Sequence, residues 1–292
     1  MRSLLFVPGD SERKLEKGLA SGADVLLIDL EDSVAPDNKP RARAICVALL
    51  TTPRNAGGPK LFVRINALST GMTSTDLDAI MPASPDGVML PKSNSGNDVA
   101  HLASLLAVRE AENGHAHETA IIAIVTETAA GALATQGYAG ASRRLIGMAW
   151  GAEDLSADLG ATASRDEHGA LTDPFRFART VTLLGAAAAG VAPIDTVYVN
   201  FRNEAGLAAE CRAAARDGFT AKMAIHPAQV GPINDAFTPS PSDVARALAI
   251  VDAFAAAGNA GVIGIDGEML DRPHLRRAER LLARAQAAGV AG

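Results

Sequence analysis

Short apolar runs alternate with stretches of helical periodicity along the whole chain. Eight such runs can be recognised, and nearly every one ends in a polar residue or a Pro-Gly pair: LLFVPG, VLLIDLED, LFVRIN, VMLPK, IIAIVTE, LIGMAWGAED, TVYVNF and KMAIHP. Between them, segments such as NDVAHLASLLAVREAE carry apolar residues at helical spacing. This alternation of strand and helix predicts an α/β fold, and eight repeats predict a TIM (β/α)8 barrel with a short C-terminal extension.

The polar ends of these runs predict one shared site. In a TIM barrel the catalytic groups come from the carboxyl ends of the strands, which all open at the same mouth. The residues expected at this mouth are Glu31, Asp32, Arg64, Lys92, Glu127, Asp154, Asn200 and His226.

Linker-like composition marks the end of the predicted barrel. The segment AAAGNAG at 255–261 favours a break in regular structure, so we predict a catalytic barrel over residues 1–257 and a C-terminal segment over 258–292. That segment combines a turn with one amphipathic helix and is too short to fold alone. It is expected to pack on its own barrel or to reach a neighbouring subunit.

Composition narrows the function classes. Hydrophobic residues make up 48% of the 292 residues, enough for a large core. The net charge of −6 argues against bulk nucleic-acid binding. The sequence contains no uninterrupted apolar stretch of about 18 residues, so we do not expect a membrane span. The cysteines Cys46 and Cys211 have no metal-binding spacing and are read as reduced thiols. These features predict a cytoplasmic enzyme.

Two carboxylates form the strongest chemical signal. Glu127 ends the fifth run and Asp154 follows the sixth, so neighbouring strands would bring them together. Two acids without a nearby His or Cys favour a hard cation, Mg²⁺ or Mn²⁺. The alternatives are that either acid pairs with an arginine or serves a helix terminus, and that Glu153 replaces Asp154 as the second ligand.

Arg64 closes an otherwise apolar strand, where an unpaired guanidinium would be costly. It is expected to meet either a substrate oxygen or an acid such as Glu31 or Asp32, and both roles are compatible. Glu31 and Asp32 themselves either support the waters around the cation or cap the turn before Pro36.

Basic residues follow the first strand. Arg13 and Lys17 are four residues apart and would share one helix face, where they could contact phosphates of a bulky substrate or simply face solvent. His226, after the eighth run, is expected to be a buried histidine or a rim residue that contacts substrate, without binding the cation.

An ordered set of motifs then resembles a known family over nearly the whole chain. The segments RSLLFVPG, DLEDSVAPDNKPRAR, VRIN, VTETAAG, WGAEDLSADLG, KMAIHPAQV and GEMLDRP are similar to those of the citrate lyase beta-subunit-like group of the HpcH/HpaI aldolase superfamily. That group includes malyl-CoA and citramalyl-CoA lyases.

The resemblance implies roles for individual residues. It makes Glu127 and Asp154 the Mg²⁺ ligands and Arg64 the residue that binds and polarises the keto-acid oxygen. It also assigns Asp271 as an acid-base group delivered by an adjacent subunit, although an Asp two residues before Pro273 is also an ordinary helix N-cap. The positions implied to contact coenzyme A are Phe6, Arg13, Lys17, Ile225 and His226.

The implied reaction is reversible carbon–carbon cleavage of a 3-hydroxyacyl-CoA to acetyl-CoA and a 2-oxo acid, in a homotrimer or hexamer. Asp271 would protonate the acetyl-CoA enolate, and no Schiff base with Lys92 would be needed. Two alternatives remain open. One is a malyl-CoA-type thioester hydrolase, and the other is a citrate lyase beta subunit that acts on an acyl-carrier protein.

Overall fold

The computed structural model describes residues 1–54, 57–258 and 260–290. Eight strands form one closed barrel in which every neighbouring pair is parallel and the chain order is kept around the ring. The strands are β1 (Ser3–Pro8), β2 (Val25–Asp29), β3 (Lys60–Arg64), β4 (Gly87–Leu90), β5 (Ala120–Ile124), β6 (Leu145–Ala149), β7 (Ala192–Asp195) and β8 (Ala221–Ala224). The predicted TIM barrel is confirmed.

Helices follow the strands and cover the barrel. They are α1 (Glu12–Leu19), α2 (Lys39–Thr51), α3 (Thr73–Ile80), α4 (Gly96–Asn113), α5 (Ala129–Leu133), α6 (Ala152–Leu159), α7 (Asp173–Ala189), α8 (Glu204–Asp217) and α9 (Val230–Phe237). None of the helices in the described ranges is long and apolar enough to cross a membrane.

Two apolar cores explain why the strands read as continuous hydrophobic runs. One face of each strand points into the barrel, where Leu27, Phe62 and Ile122 are buried. The other face packs against the helices, as Leu26 and Val63 do. Because both faces are buried, the strands have no alternating polar positions, and most of their polar residues lie at a strand end. Lys222, inside β8, is an exception and pairs with Asp195 and Glu210.

The seventh strand lies earlier in the chain than the sequence predicted. The prediction chose TVYVNF at 196–201 because its β-branched and aromatic residues are typical of strands. The strand is instead Ala192–Asp195, which contains a proline that weakens the sequence signal. The carbonyl of Pro193 still accepts a hydrogen bond from the Thr220 N–H at 3.0 Å. Asn200 consequently sits in an exposed loop beyond the strand end.

The chain after α9 forms a helical pair with a hairpin between its members. Helix α10 (Pro241–Ala256) packs against α11 (Arg272–Ala287), and β9 (Val262–Ile265) pairs antiparallel with β10 (Glu268–Asp271). Phe254 and Leu270 are buried but belong to neither barrel core. The proposed boundary between residues 257 and 258 stays a prediction, as does packing of the C-terminal segment on a neighbouring subunit.

Candidate active site

Arg64, the last residue of β3, is fixed by a two-pronged ion pair. Its Nε donates to Asp29 Oδ1 at 2.7 Å and its Nη2 to Asp29 Oδ2 at 2.6 Å. Its Nη1 lies 2.9 Å from Glu31 Oε2. Burial opposes the charge of the guanidinium, but the contacts with Asp29 and Glu31 outweigh it and raise the pKa of Arg64. A guanidinium held in this way presents a fixed positive charge at the barrel mouth.

Asp29 is the site residue that sequence reasoning missed. The prediction paired Arg64 with Glu31 or Asp32, and only Glu31 makes that contact. Asp29 ends β2 and is almost fully buried. Burial disfavours the charge of the Asp29 carboxyl, but Arg64 outweighs this effect and lowers its pKa. The Asp29 carboxyl also accepts hydrogen bonds from the Glu31 and Ser33 N–H groups. An acid inside the run VLLID was the available signal.

Phe6 supports the same guanidinium from β1. The Arg64 Cζ lies 4.8 Å from the centre of the Phe6 ring, which gives a cation–π contact. Phe6 also packs against the interior core of the barrel. Its observed contact is therefore with Arg64, and its implied contact with coenzyme A remains a proposal.

Glu127 lies three residues beyond β5 and is 3% exposed. Its Oε2 accepts a hydrogen bond from the Lys92 N–H at 2.5 Å. A side chain at Gly151 would collide with it, because a Cβ there would lie 2.6 Å from Glu127 Cγ. Burial, together with the nearby Asp154 charge, raises the pKa of Glu127 to about 8. Without a cation this carboxyl is therefore mostly protonated at neutral pH.

Asp154 faces Glu127 from the first turn of α6. Its Oδ1 lies 3.2 Å from Lys92 Nζ, and about a third of its side chain is exposed. Glu153, the rival ligand, is exposed and does not join these contacts. The turn between β6 and α6 thus aims Asp154 at the acidic cluster, as the sequence suggested.

Glu31 and Asp32 complete this cluster through Lys92. The Lys92 ammonium contacts the Glu31 carboxylate and lies 2.8 Å from Asp32 Oδ2. Glu31 is almost fully buried, and burial raises the pKa of its carboxyl despite the opposing charges of Arg64 and Lys92. Its Oε2 has no well-aligned hydrogen-bond donor within the described residues. Sequence reasoning had left Lys92 unassigned.

The donor set fits a hard divalent cation. The oxygens of Glu31, Asp32 and Asp154 surround one ammonium, and Glu127 is bonded to the backbone of the same lysine. Within the described ranges, no three acids, histidines or cysteines already converge at metal-binding distance. Two carboxylates with the remaining positions open for water and substrate oxygens are a usual arrangement for Mg²⁺.

The remaining predicted residues lie on the rim. Arg13 and Lys17 are exposed on α1, and no ion pair involves either of them in the part of the chain that the structure describes. Ile225 is 41% exposed just after β8. His226 is also exposed and stacks on Phe201 with ring centres 4.8 Å apart. None of these four contacts the acidic cluster.

Asp271 is not brought to this site within the chain. It ends β10, directly before α11, and is half exposed. Its Oδ1 lies 2.6 Å from His274 Nδ1, and this hydrogen bond lowers the pKa of the Asp271 carboxyl. Within the described residues its side chain contacts neither Arg64 nor the acidic cluster.

Fold and site together define a class: a TIM-barrel enzyme with a fixed arginine and a cluster of acids at the carboxyl ends of its strands. Residues 2–227 match the model of the HpcH/HpaI aldolase/citrate lyase family. The chain belongs to this family.

Individual relatives agree with that assignment. The chain is 38% identical over 281 residues to a citrate lyase subunit beta-like protein of Mycobacterium tuberculosis, covering 96% of this chain and 94% of that protein. It is 35% identical over 288 residues to a (3S)-malyl-CoA thioesterase of Cereibacter sphaeroides, covering 98% and 95%. The crystal structure of the Mycobacterium tuberculosis protein CitE with magnesium, acetoacetate and coenzyme A superposes with a TM-score of 0.78 at 36% identity, covering 98% of each chain.

Proposed function

We propose that this protein is a Mg²⁺-dependent carbon–carbon lyase that cleaves a 3-hydroxyacyl-CoA, such as malyl-CoA or citramalyl-CoA, reversibly to acetyl-CoA and a 2-oxo acid. The observation that carries this proposal is the juxtaposition of Arg64 with the acids Glu31, Asp32, Glu127 and Asp154 at the barrel mouth. The relative that was crystallised with magnesium, acetoacetate and coenzyme A supports the choice of ligands.

Each part of the site has a task in this reaction. Glu127 and Asp154 would hold Mg²⁺, with Mn²⁺ as a substitute, while Glu31 and Asp32 would orient the waters around it. When bound, the cation would act as a Lewis acid toward the oxo-acid oxygens. Arg64 would bind the same oxygen that becomes the 2-oxo carbonyl and stabilise its negative charge, because Asp29 and Phe6 prevent the guanidinium from turning away.

The proposed reaction also needs a group that transfers a proton to or from the acetyl-CoA enolate. We assign it to Asp271 of a neighbouring subunit in a homotrimer or hexamer, because Asp271 lies on the hairpin outside its own barrel. In cleavage it would give a proton to the acetyl-CoA enolate, and in condensation it would remove a methyl proton. The hydrogen bond with His274 lowers the pKa of the Asp271 carboxyl, which favours the form that acts as the base in the condensation direction.

The rim would bind coenzyme A. Arg13 and Lys17 are exposed cations suited to its phosphates, and Phe6, Ile225 and His226 offer apolar or stacking surface nearby. The buried, unpaired thiols of Cys46 and Cys211 are compatible with our proposal of a cytoplasmic location.

The test is a coupled assay of Mg²⁺-loaded protein with acetyl-CoA and a panel of 2-oxo acids. We expect a 3-hydroxyacyl-CoA product with at least one acid, and its loss with EDTA or in Glu127→Gln. Borohydride added with substrate should leave the enzyme active, since no Schiff base forms. Inactivation by borohydride would instead indicate a lysine nucleophile.

The malyl-CoA thioesterase among the relatives supports a second candidate, in which water ends the reaction. Release of free CoA from malyl-CoA faster than release of acetyl-CoA would favour hydrolysis.

The citrate lyase beta-like relative supports action on an acyl-carrier protein. Activity of the isolated chain on CoA esters would count against that role.

A further inference from the structure

Lys92 is the one residue that contacts all four acids of the cluster in the described structure. Its backbone N–H donates to Glu127 Oε2 at 2.5 Å. Its ammonium contacts Glu31, lies 2.8 Å from Asp32 Oδ2 and 3.2 Å from Asp154 Oδ1. The proposed reaction gives this lysine no task.

The backbone of Lys92 is held in an unusual conformation. Its φ of 50° lies in the left-handed region, which is energetically unfavourable for a non-glycine residue. The fold keeps a lysine there in spite of this cost, and in that conformation its N–H meets Glu127 while its ammonium meets the other acids. Strained positions of this kind concentrate at functional sites.

The acidic cluster carries more negative than positive groups, so the Lys92 ammonium is an important counter-charge there. Arg64 and Asp29 neutralise one another through their two-pronged pair. The four remaining acids are Glu31, Asp32, Glu127 and Asp154. The Lys92 ammonium contacts the carboxylates of Glu31, Asp32 and Asp154, and Arg64 also contacts Glu31. Two of them, Glu31 and Glu127, are almost fully buried, where repulsion between like charges is strong.

We propose that Lys92 is a built-in counter-ion of the cation site: its ammonium holds Asp154 beside Glu31 and Asp32 in the cation-free protein and competes with the divalent cation for the Asp154 carboxylate. When the cation binds, the ammonium gives up Asp154 and keeps its contacts with Glu31 and Asp32. Lys92 is thus a positioning residue that organises the ligands and at the same time weakens cation binding. This inference rests on the proposed cation site.

The decisive variant is Lys92→Met, which removes the ammonium and retains the N–H that donates to Glu127. Titration with Mg²⁺ by calorimetry should give a dissociation constant about tenfold lower than that of the wild type, because the competing charge is gone. In EDTA the variant should melt at a lower temperature than the wild type, since Glu31, Asp32 and Asp154 then lose their shared counter-ion. Saturating Mg²⁺ should remove that difference.

Two further variants serve as controls. Lys92→Arg keeps the positive charge and should bind Mg²⁺ with nearly wild-type affinity. Lys60→Met makes the same chemical change at the exposed start of β3 and should change neither the affinity nor the melting temperature in EDTA. If Lys92→Met does not fold, Lys92→Gln is titrated in its place.

The inference is overturned if a folded Lys92→Met binds Mg²⁺ as weakly as the wild type or more weakly. A merely structural role for Lys92 would lower both stability and affinity, and Mg²⁺ would not restore the melting temperature. Failure of the proposed function has a different signature. In that case the wild type itself would not bind Mg²⁺, or Glu127→Gln would bind it as tightly as the wild type.

Discussion

Three contacts fix the position of the Arg64 guanidinium at the barrel mouth. Its guanidinium combines a two-pronged bond to Asp29, an ion pair with Glu31 and a stacking contact with Phe6. A lysine would keep the charge but lose the fork geometry and the planar stacking. Position, more than charge alone, is therefore the property that Arg64 contributes.

Arg64→Lys tests this point. We expect kcat to fall about 100-fold, because an oxyanion partner that is misplaced loses several kcal/mol of transition-state stabilisation. Steady-state kinetics with saturating Mg²⁺ measure the change. Arg109→Lys is the matched control, since Arg109 pairs with Asp78 away from the mouth and should leave kcat unchanged. Wild-type kcat in Arg64→Lys would contradict the assigned role.

The raised pKa of Glu127 predicts a pH dependence. Because the pKa is about 8, the carboxyl must lose a proton before it can bind a cation at pH 7. Mg²⁺ affinity should therefore increase as the pH rises toward 8, and calorimetry in buffers of different ionisation enthalpy should detect proton release. Glu127→Gln should abolish both effects. Binding of Mg²⁺ by the wild type without proton release at pH 7 would show that the carboxyl is already ionised.

The same shift has a consequence for the stability of the cation-free protein. The folded state keeps the Glu127 proton up to pH 8, whereas the unfolded chain loses it near its ordinary value of 4.5. The contribution of Glu127 to the free energy of unfolding is therefore complete at pH values below its pKa in the unfolded chain. It is lost as the pH rises through 8, the pKa in the folded state. Mg²⁺ should offset that loss at the alkaline end.

At the scale of elements, buried ion pairs join the helices to the strands. Glu110 near the end of α4 accepts two hydrogen bonds from Arg144, both at 2.6 Å, and one from the Thr119 N–H at 2.6 Å. Arg144 immediately precedes β6 and Thr119 precedes β5. This contact fixes the starts of the two strands whose other ends carry Glu127 and Asp154.

Glu110→Gln should lower the free energy of unfolding by about 3 kcal/mol, because it leaves the buried Arg144 without its charged partner. Denaturant unfolding measures this loss. The control is Glu268→Gln at the exposed pair with Arg246, where we expect a change below about 0.5 kcal/mol. If the two substitutions lowered the free energy of unfolding equally, burial would not account for the contribution of the Glu110–Arg144 pair.

The elements also show how far sequence patterns reach. Periodicity predicted the barrel and the polar strand ends because burial on both faces leaves a strong signal. It misplaced the seventh strand, where Pro193 weakened the true run and the β-prone residues after Asp195 belong to a loop. Asp29 was missed because only the register of β2 beside β3 reveals that it meets Arg64. The role of Lys92 could not be predicted, because it depends on a backbone angle and three side-chain contacts that are not apparent from the sequence.

At the scale of the whole molecule, we propose that a neighbouring chain completes the site. Asp271 lies on the C-terminal hairpin and contacts His274, whereas Arg64 lies at the barrel mouth. If Asp271 acts on a neighbour, Asp271→Ala and Arg64→Ala should each be inactive alone. Mixed assemblies should regain activity at sites that combine the intact barrel of one chain with the intact hairpin of the other.

Co-expression with two different tags and purification through both tests this complementation. In a trimer that contains both chains, head-to-tail contacts should restore about one site in three. Activity of the mixed assembly no greater than that of the separate variants would place Asp271 within its own barrel's site. Full activity of Asp271→Ala alone would remove it from the mechanism.

The central claim is that Arg64 and the carboxylates at the barrel mouth catalyse carbon–carbon bond cleavage and formation on a CoA ester. It is tested most directly by incubating the Mg²⁺-loaded protein with acetyl-CoA and a panel of 2-oxo acids and identifying the products by mass spectrometry. We expect a 3-hydroxyacyl-CoA that retains the thioester, formed by the wild type and absent in Glu127→Gln. Free CoA as the only product, or no product with any acid, would contradict it.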